Sequence, residues 1–585
     1  MKKIIDKKVQ LKINNINVTV DKGTTVLEAA EKIGIHIPTL CHLNLEDFGV
    51  VNKSANCRVC VVEDEDTGKL VPSCAQEVRD GMHIQTDSLK AVMARRTNLE
   101  LLLSNHPQDC LTCVKNLDCE LQSLAHELNI KEMHYQGEKM SHPKDETSFG
   151  IIKDTNKCIM CRRCITMCND VQTVGVLGAL KRGFDAVIAT AFHLDLNQTS
   201  CTYCGQCVSV CPTGALAETN DSPKVWRALN NPDKHVIVQV APAVRAAIGE
   251  EFGYEPGTIL TGKVVSGLKR LGFDQIFDTN FGADLTIIEE ATELVDRIQN
   301  NKTLPMLTSC CPAWVQFIEH QFPELLDVPS SCKSPHEMVG ILAKTYYAKE
   351  NGIDPKDIVM VSIMPCTAKK AEAARAELNK DGLSDVDYVM TTRELARMFR
   401  EASIDFRKLP EADFDQLLGE STGAAAIFGT TGGVIEAATR TAYEMITGEE
   451  LKEVNFNQFR GLEGIREAKV KIGDLELNIG IAHGLGNARK LLNDIKSGKS
   501  KFHAIEIMAC PGGCIGGGGQ PYHHGHTEIL LKRQQALYDL DAKLPRRKSH
   551  ENEMVIKLYK DFLQEPGSHI AHDLLHTSYS AKERI

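Results

Sequence analysis

Apolar residues alternate with polar ones over 9–13 and again over 16–20, which predicts two short strands, and Asn14-Asn15 between them predicts a tight turn. Thr25 and Glu28 have capping-box spacing ahead of an apolar run to Ile33, so a helix should follow. Residues 87–130 read as helical, with Leu99, Leu101, Leu102 and Leu103 ahead of the loop His106-Pro107-Gln108-Asp109-Cys110. From about Lys234 the pattern changes to β-rich and helical segments in alternation. Residues 235–240, 358–364 and 504–508 are apolar strand candidates and 263–271 a helix, which predicts an α/β domain. No uncharged apolar run reaches 18 residues; the best, 235–247, carries Arg245, so no membrane span is expected.

Composition changes this picture at one point. With 585 residues, about four domains are expected at roughly 150 residues each. Hydrophobic residues at 42% and charged ones at 25% exclude a disordered, collagen-like or membrane-embedded chain, and a net charge of −11 gives no sign of a polyanionic partner such as nucleic acid. Cysteine, however, occurs 21 times in a chain far too large to need disulfide staples. The segment Met1-Lys2-Lys3-Ile4-Ile5-Asp6-Lys7-Lys8 lacks the apolar region of a secretory signal, so a cytoplasmic location is expected. Thiols stay reduced there, and clustered cysteines are metal ligands or catalysts rather than bridges.

The cysteines fall into blocks. Cys41, Cys57, Cys60 and Cys74 lie in loops of the two-strand, one-helix module, residues 1–86, and suit a β-grasp [2Fe–2S] ferredoxin; a four-thiolate zinc knuckle would use the same residues. The gap between Cys41 and Cys57 departs from the plant-type spacing and resembles the N-terminal module of the large iron–sulfur subunit of respiratory complex I. His106, Cys110, Cys113 and Cys119, within 87–146, offer one imidazole and three thiolates; on spacing alone this could be zinc, or His106 could be an unrelated surface residue. The same pattern follows the same ferredoxin in complex I and in the iron-only hydrogenases, where it binds a [4Fe–4S] cluster.

Two C-x2-C-x2-C-x3-C runs, Cys158/Cys161/Cys164/Cys168 and Cys201/Cys204/Cys207/Cys211, repeat with a period of 43 residues inside 147–222. In two-cluster ferredoxins the fourth cysteine of each run reaches across to the other cluster. One cluster is therefore expected on Cys158, Cys161, Cys164 and Cys211, and the second on Cys201, Cys204, Cys207 and Cys168. Four cofactors in the first 220 residues make an electron wire, and its terminus should lie in the C-terminal half.

That half, 223–520, carries Thr308-Ser309-Cys310-Cys311-Pro312-Ala313-Trp314, Met364-Pro365-Cys366-Thr367-Ala368-Lys369-Lys370 and Met508-Ala509-Cys510-Pro511-Gly512-Gly513-Cys514. With the wire, these motifs strongly resemble the [FeFe]-hydrogenases from about residue 9 onward, particularly the catalytic subunit of multisubunit, NAD(P)-linked, electron-bifurcating members. The resemblance implies an enzyme catalysing 2H⁺ + 2e⁻ ⇌ H₂ at an H-cluster, a [4Fe–4S] cubane joined to a two-iron site carrying CO, cyanide and azadithiolate. It implies one [2Fe–2S] and three accessory [4Fe–4S] clusters besides. Cys311, Cys366, Cys510 and Cys514 become cubane ligands, with Cys514 the bridging thiolate. Cys310 becomes the thiol that passes protons, fed by Glu290, Glu293 and Ser330. Lys369, Ala241 and Pro242 are placed at the cyanides, and Met364, Met508 and Phe428 in the apolar lining. No G-x-G-x-x-G stands in a βαβ setting, so flavin- and iron–sulfur-containing NAD(P)-binding subunits, with ferredoxin, are the expected partners.

Several features depart from that family or stand outside it. Ala313 stands where Gly is common, Pro511 where some single-chain enzymes have His, and His336 where Gln is frequent; Cys332 matches no family role and reads as a packing thiol. The run Gly516–Gly519 lacks the Lys-Ser/Thr of a phosphate loop. Residues 521–585 resemble a tail that some members encode as a small subunit. His569, His572 and His576 there have helical spacing that a metal could use, but the adopted reading is a wrap with surface histidines. The rival functions are an iron–sulfur assembly scaffold without a two-iron site, opposed by Cys310, Lys369, Glu290 and Glu293, and a hydrogen sensor, for which no signalling module is visible.

Overall fold

Asn14 and Asn15 adopt φ of 47° and 65°, the left-handed pair that lets a two-residue turn match strand twist, and the strands Lys8–Ile13 and Ile16–Asp21 pair antiparallel across them. The structure is a computed structural model describing residues 8–583 except 51, 53, 54, 381 and 474; residues 1–7, read above for a leader, lie outside the described residues. Val9, Leu11, Ile13, Val18 and Val20 are buried on one face. Against it packs the helix Val26–Glu31, whose capping box is closed by Thr25 N–H to Glu28 Oε2 (2.6 Å) and Glu28 N–H to Thr25 Oγ1 (3.2 Å). Three further strands complete a mixed sheet in the order Ile16–Asp21, Lys8–Ile13, His83–Gln85, Val61–Asp64, Lys69–Pro72.

The repeated cysteine runs lie between the strands of a short antiparallel pair, Ile151–Lys153 with Leu216–Glu218, and each starts on a loop that leads into a short helix. Each loop turns the same way. Met160 and Arg162 have φ of 56° and 66°, and Tyr203 and Gly205, 43 residues later, have 54° and 69°. The sequence repeat is thus also a backbone repeat.

Beyond Lys234 stand two four-stranded sheets. The first is wholly parallel, ordered Gln275–Asp278, His235–Val240, Ile358–Met364, Tyr388–Thr391. The second runs Met306–Leu307, Ala504–Met508, Leu475–His483, with Ile465–Ile472 antiparallel at its edge. Strands of parallel sheets are covered on both faces, which is why 235–240, 358–364 and 504–508 read as continuous apolar runs. The helices Thr527–Lys543, Glu553–Leu558 and His569–Leu575 close over this unit. No helix among the described residues is long and apolar enough to cross a membrane.

Candidate active site and electron path

In the N-terminal module the four thiols converge. Cys60 Sγ lies 3.3 Å from Cys74 Sγ, Cys41 is in hydrogen-bonding contact with Cys57 and Cys74, and all four are buried. Further along the chain, His106 has a buried Nδ1 with no hydrogen-bond partner, and burial lowers its pKa to about 4. A neutral imidazole with an orphaned nitrogen fits a metal-ligand role better than a surface histidine does. Cys110 and Cys113 flank a short turn and Cys119 opens the helix Glu120–Glu127.

The ferredoxin-like region encloses two cavities. One is lined by Cys158, Cys161, Cys164 and Cys211; the other by Cys201, Cys204, Cys207 and Cys168. Three cysteines of each run thus meet the fourth of the other. Cys119 Sγ approaches Pro212 O at 3.6 Å, and Asn56 Nδ2 donates to Cys161 O at 3.4 Å. Both N-terminal sites therefore abut the first cavity, and the path is forked. From the second cavity the path leads inward. Thr367 Oγ1 donates to Tyr203 O (2.7 Å), and Gly518 packs so tightly on the Cys204 carbonyl that a Cβ would come within 2.6 Å of it. A Cβ on Gly517 would come within 2.1 Å of Pro365 O. The glycine run exists for this close approach of the two cysteine loops.

The carboxyl ends of the two sheets frame a buried, mostly apolar cavity. Ala241-Pro242 follows one strand, Pro365-Cys366 another, Thr308-Ser309-Cys310-Cys311 a third and Ala509-Cys510 a fourth, as open α/β sheets place their sites. Cys311, Cys366, Cys510, Cys514, Cys310, Lys369, Met364, Met508, Phe428, Ala241 and Pro242 all line it. Four thiols converging in an apolar hollow are a donor set suited to an iron–sulfur cubane beside a group held by shape. The Lys369 ammonium donates to Glu372 Oε2 (2.6 Å), Ser334 Oγ (2.7 Å) and Cys310 O (3.1 Å). His336, whose Nε2 lies 2.7 Å from Glu372 Oε2, shares that carboxylate. Glu372 was missed in the sequence; its i,i+3 spacing from Lys369 was the available signal.

The helix Thr279–Gln299 presents Glu290 and Glu293 on one face. Glu290 Oε1 accepts from Ser309 N–H (3.4 Å), while its Oε2 is buried and unpartnered. Ser330 contacts Glu290 and donates from Oγ to Glu293 Oε2 (2.9 Å), and Arg297 pairs with Glu293 Oε1 (2.6 Å). Cys310, Glu290, Ser330 and Glu293 therefore run outward in order, and only Glu293, at 15% side-chain exposure, nears solvent. Burial pushes the Glu290 carboxyl up to about 8, so it holds its proton at pH 7. Infrared difference spectra across a pH series should show a protonated carboxyl C=O band that fades as pH rises through about 8 and is missing in Glu290→Gln. A band already absent at pH 6 would refute the assignment.

The C-terminal histidines are not all surface residues, contrary to the sequence expectation. Of the C-terminal histidines, His569 and His572 are exposed, but His523 is buried and the His576 side chain is only 7% exposed, lying one residue past its helix. The tail folds back onto the core and carries them inward.

Sulfur sites leading to a buried four-cysteine cavity, with the Glu290, Ser330 and Glu293 side chains beside it, define a cluster-bearing redox enzyme of hydrogenase type. The chain belongs to the iron-only, or [FeFe], hydrogenase family. Residues 234–518 match the C-terminal domain of the iron only hydrogenase large subunit, and 527–582 match the iron hydrogenase small subunit. Residues 6–88 match a 2Fe-2S iron-sulfur cluster binding domain. Residues 95–134 match the NADH-ubiquinone oxidoreductase-G iron-sulfur binding region, and 150–217 the ferredoxin-like domain of NADH-quinone oxidoreductase subunit 3. The chain is 58% identical to the NADP-reducing hydrogenase subunit HndD of Solidesulfovibrio fructosivorans (98% of this chain, 99% of that one). It is 41% identical to iron hydrogenase 1 of Clostridium pasteurianum (97% and 99%). The solved [FeFe]-hydrogenase HydA1 of Chlamydomonas reinhardtii superposes with a TM-score of 0.57 at 43% identity, covering 62% of this chain and 99% of that one.

Proposed function

We propose that this chain is the catalytic subunit of a multisubunit, NAD(P)-linked [FeFe]-hydrogenase that interconverts protons, electrons and H₂ in the cytoplasm. The observation carrying this reading is the placement of Cys310 at the wall of the four-thiol cavity with Glu290, Ser330 and Glu293 leading outward. Cys311, Cys366, Cys510 and Cys514 would hold the H-cluster, which when bound supplies the redox chemistry of 2H⁺ + 2e⁻ ⇌ H₂. Lys369 is fixed by Glu372 and Ser334 so that its charge faces the cavity, and Met364, Met508 and Phe428 exclude water from it.

In this reading 1–86 is the [2Fe–2S] domain, 87–146 the [4Fe–4S] module with one histidine and three cysteine ligands, and 147–222 the two-[4Fe–4S] domain. Residues 223–520 form the catalytic domain and 521–585 the small-subunit-like segment. Flavin- and iron–sulfur-containing NAD(P)-binding subunits and ferredoxin would exchange electrons at the two N-terminal sites; the likeness to an NADP-reducing hydrogenase subunit supports that. Infrared spectroscopy of the fully matured protein tests the whole reading: CO and CN stretching bands are expected, and their absence would refute it.

A further inference from the structure

Beside the proton route, three side chains of metal-ligating type from three separate elements come together. Glu293 comes from the long helix Thr279–Gln299, Cys332 from the loop after Ser330, and His576 from the end of the tail. One donor atom of each lies within 4.8 Å of the others. Cys332 and His576 form an antiparallel bridge, fixed on either side by Lys333 N–H to Leu575 O (2.7 Å) and Thr577 N–H to Ser331 O (2.8 Å). Cross-strand partners hold their side chains adjacent, so this pairing is built into the backbone.

The hydrogen bonds around the cluster orient its donors. His576 Nε2 lies 3.1 Å from Glu289 Oε2, a carboxylate already held by the Tyr559 hydroxyl (2.5 Å) and Gly567 N–H (3.0 Å). A carboxylate accepts, so His576 Nε2 is directed at Glu289, and Nδ1 on the other side of the ring lies 2.8 Å from Ser331 Oγ. A carboxylate behind one ring nitrogen, with the other facing a hydroxyl that a metal would displace, matches the arrangement of metal-bound histidines. Arg297 pairs with Glu293 Oε1, and Oε2 faces inward, accepting from Ser330 Oγ (2.9 Å), Ser331 N–H (3.1 Å) and Ser331 Oγ (3.2 Å) and lying 3.9 Å from Cys332 Sγ, so a metal here would displace the two serine hydroxyls.

We propose that Glu293 Oε2, Cys332 Sγ and His576 Nδ1 form a zinc site that, when filled, shuts the proton route. One thiolate, one imidazole and one carboxylate suit a tetrahedral, borderline-soft dication with water fourth. Bonds of about 2.0–2.3 Å require the donors to close only modestly. Binding releases the Cys332 thiol proton to solvent, and the two anionic ligands balance the dication. The blocking effect rests on the relay proposed above, because it takes from Glu293 the oxygen that Ser330 addresses; the binding does not.

The test uses matured holoenzyme incubated with Zn²⁺ and desalted. Wild type should retain one more zinc per chain than Cys332→Ala or His576→Gln, and zinc-edge X-ray absorption should show one sulfur neighbour. Its H₂ oxidation should fall about tenfold or more, recover with chelator, and resist zinc in both variants. Equal zinc retention in all three proteins, or bound zinc without a sulfur neighbour, would overturn the site. Zinc bound at Cys332 with turnover intact would uphold the site and overturn the relay through Glu293.

Discussion

Cys310→Ser should keep the cofactor's infrared bands and lose about 10²–10⁴-fold in turnover, the range expected when a positioned proton donor is removed. The side chains lining the cavity leave no substitute. Thr279 Oγ1 is committed to Gln239 Oε1 (2.9 Å), and both His336 nitrogens are engaged, with Ser362 Oγ at 3.2 Å and Glu372 at 2.7 Å. Lys369 spends its three N–H groups on Glu372, Ser334 and Cys310 O. The other thiols, on Cys311, Cys366, Cys510 and Cys514, are those assigned to the cluster. Among the described lining residues this leaves Cys310 as the proposed proton carrier between the cavity and Glu290. Serine fills nearly the same space, but its hydroxyl loses a proton far less readily than a thiol does. Dye-linked H₂ assays on spectroscopically loaded variant measure this directly. Near wild-type turnover in Cys310→Ser would move the proton route elsewhere.

How much of this was legible in the sequence follows from how local each determinant is. The hairpin at Asn14-Asn15, the Thr25/Glu28 capping box and the strands 235–240, 358–364 and 504–508 follow from neighbouring residues and match the structure. The cysteine exchange between the two runs was legible because a repeated motif carries its own partner rule. The pairing of Cys332 with His576 was not, since it joins segments that no periodicity relates. Nor was the purpose of Gly516–Gly519: a glycine run states that backbones approach closely, but not which ones. The burial of His523 and His576 escaped the sequence because local polarity cannot report the residues packed over a side chain.

Two fully buried guanidiniums clamp that tail to the catalytic unit, Arg533 on Glu250 and Arg440 on Asp541, and Arg440→Met should loosen it. Arg440 lies in the helix Gly433–Thr447, is 0% exposed, and has all five N–H donors satisfied. Nε donates to Val454 O (2.8 Å); Nη1 donates to Asp541 Oδ1 (3.0 Å) and Arg547 O (2.9 Å); Nη2 donates to Glu436 Oε1 (2.8 Å) and Asp541 Oδ2 (2.9 Å). Asp541 belongs to the helix Thr527–Lys543, so this side chain joins the segment like the small subunit to the part like the large subunit. Removing one partner of a buried pair costs about 3–5 kcal/mol, chiefly by stranding the opposite charge. The loss here should sit near about 3 kcal/mol, because Asp541 keeps Arg547 and Glu436 keeps Arg460. A local opening eased by that much raises amide exchange in 527–543 by about 10²-fold. Hydrogen–deuterium exchange mass spectrometry of loaded wild type and variant reads it, with the exchange of 8–21 as an internal reference that should not change. Equal protection of 527–543 in both proteins would mean that apolar packing and the Arg533–Glu250 pair, not the Arg440 cluster, hold the tail in place.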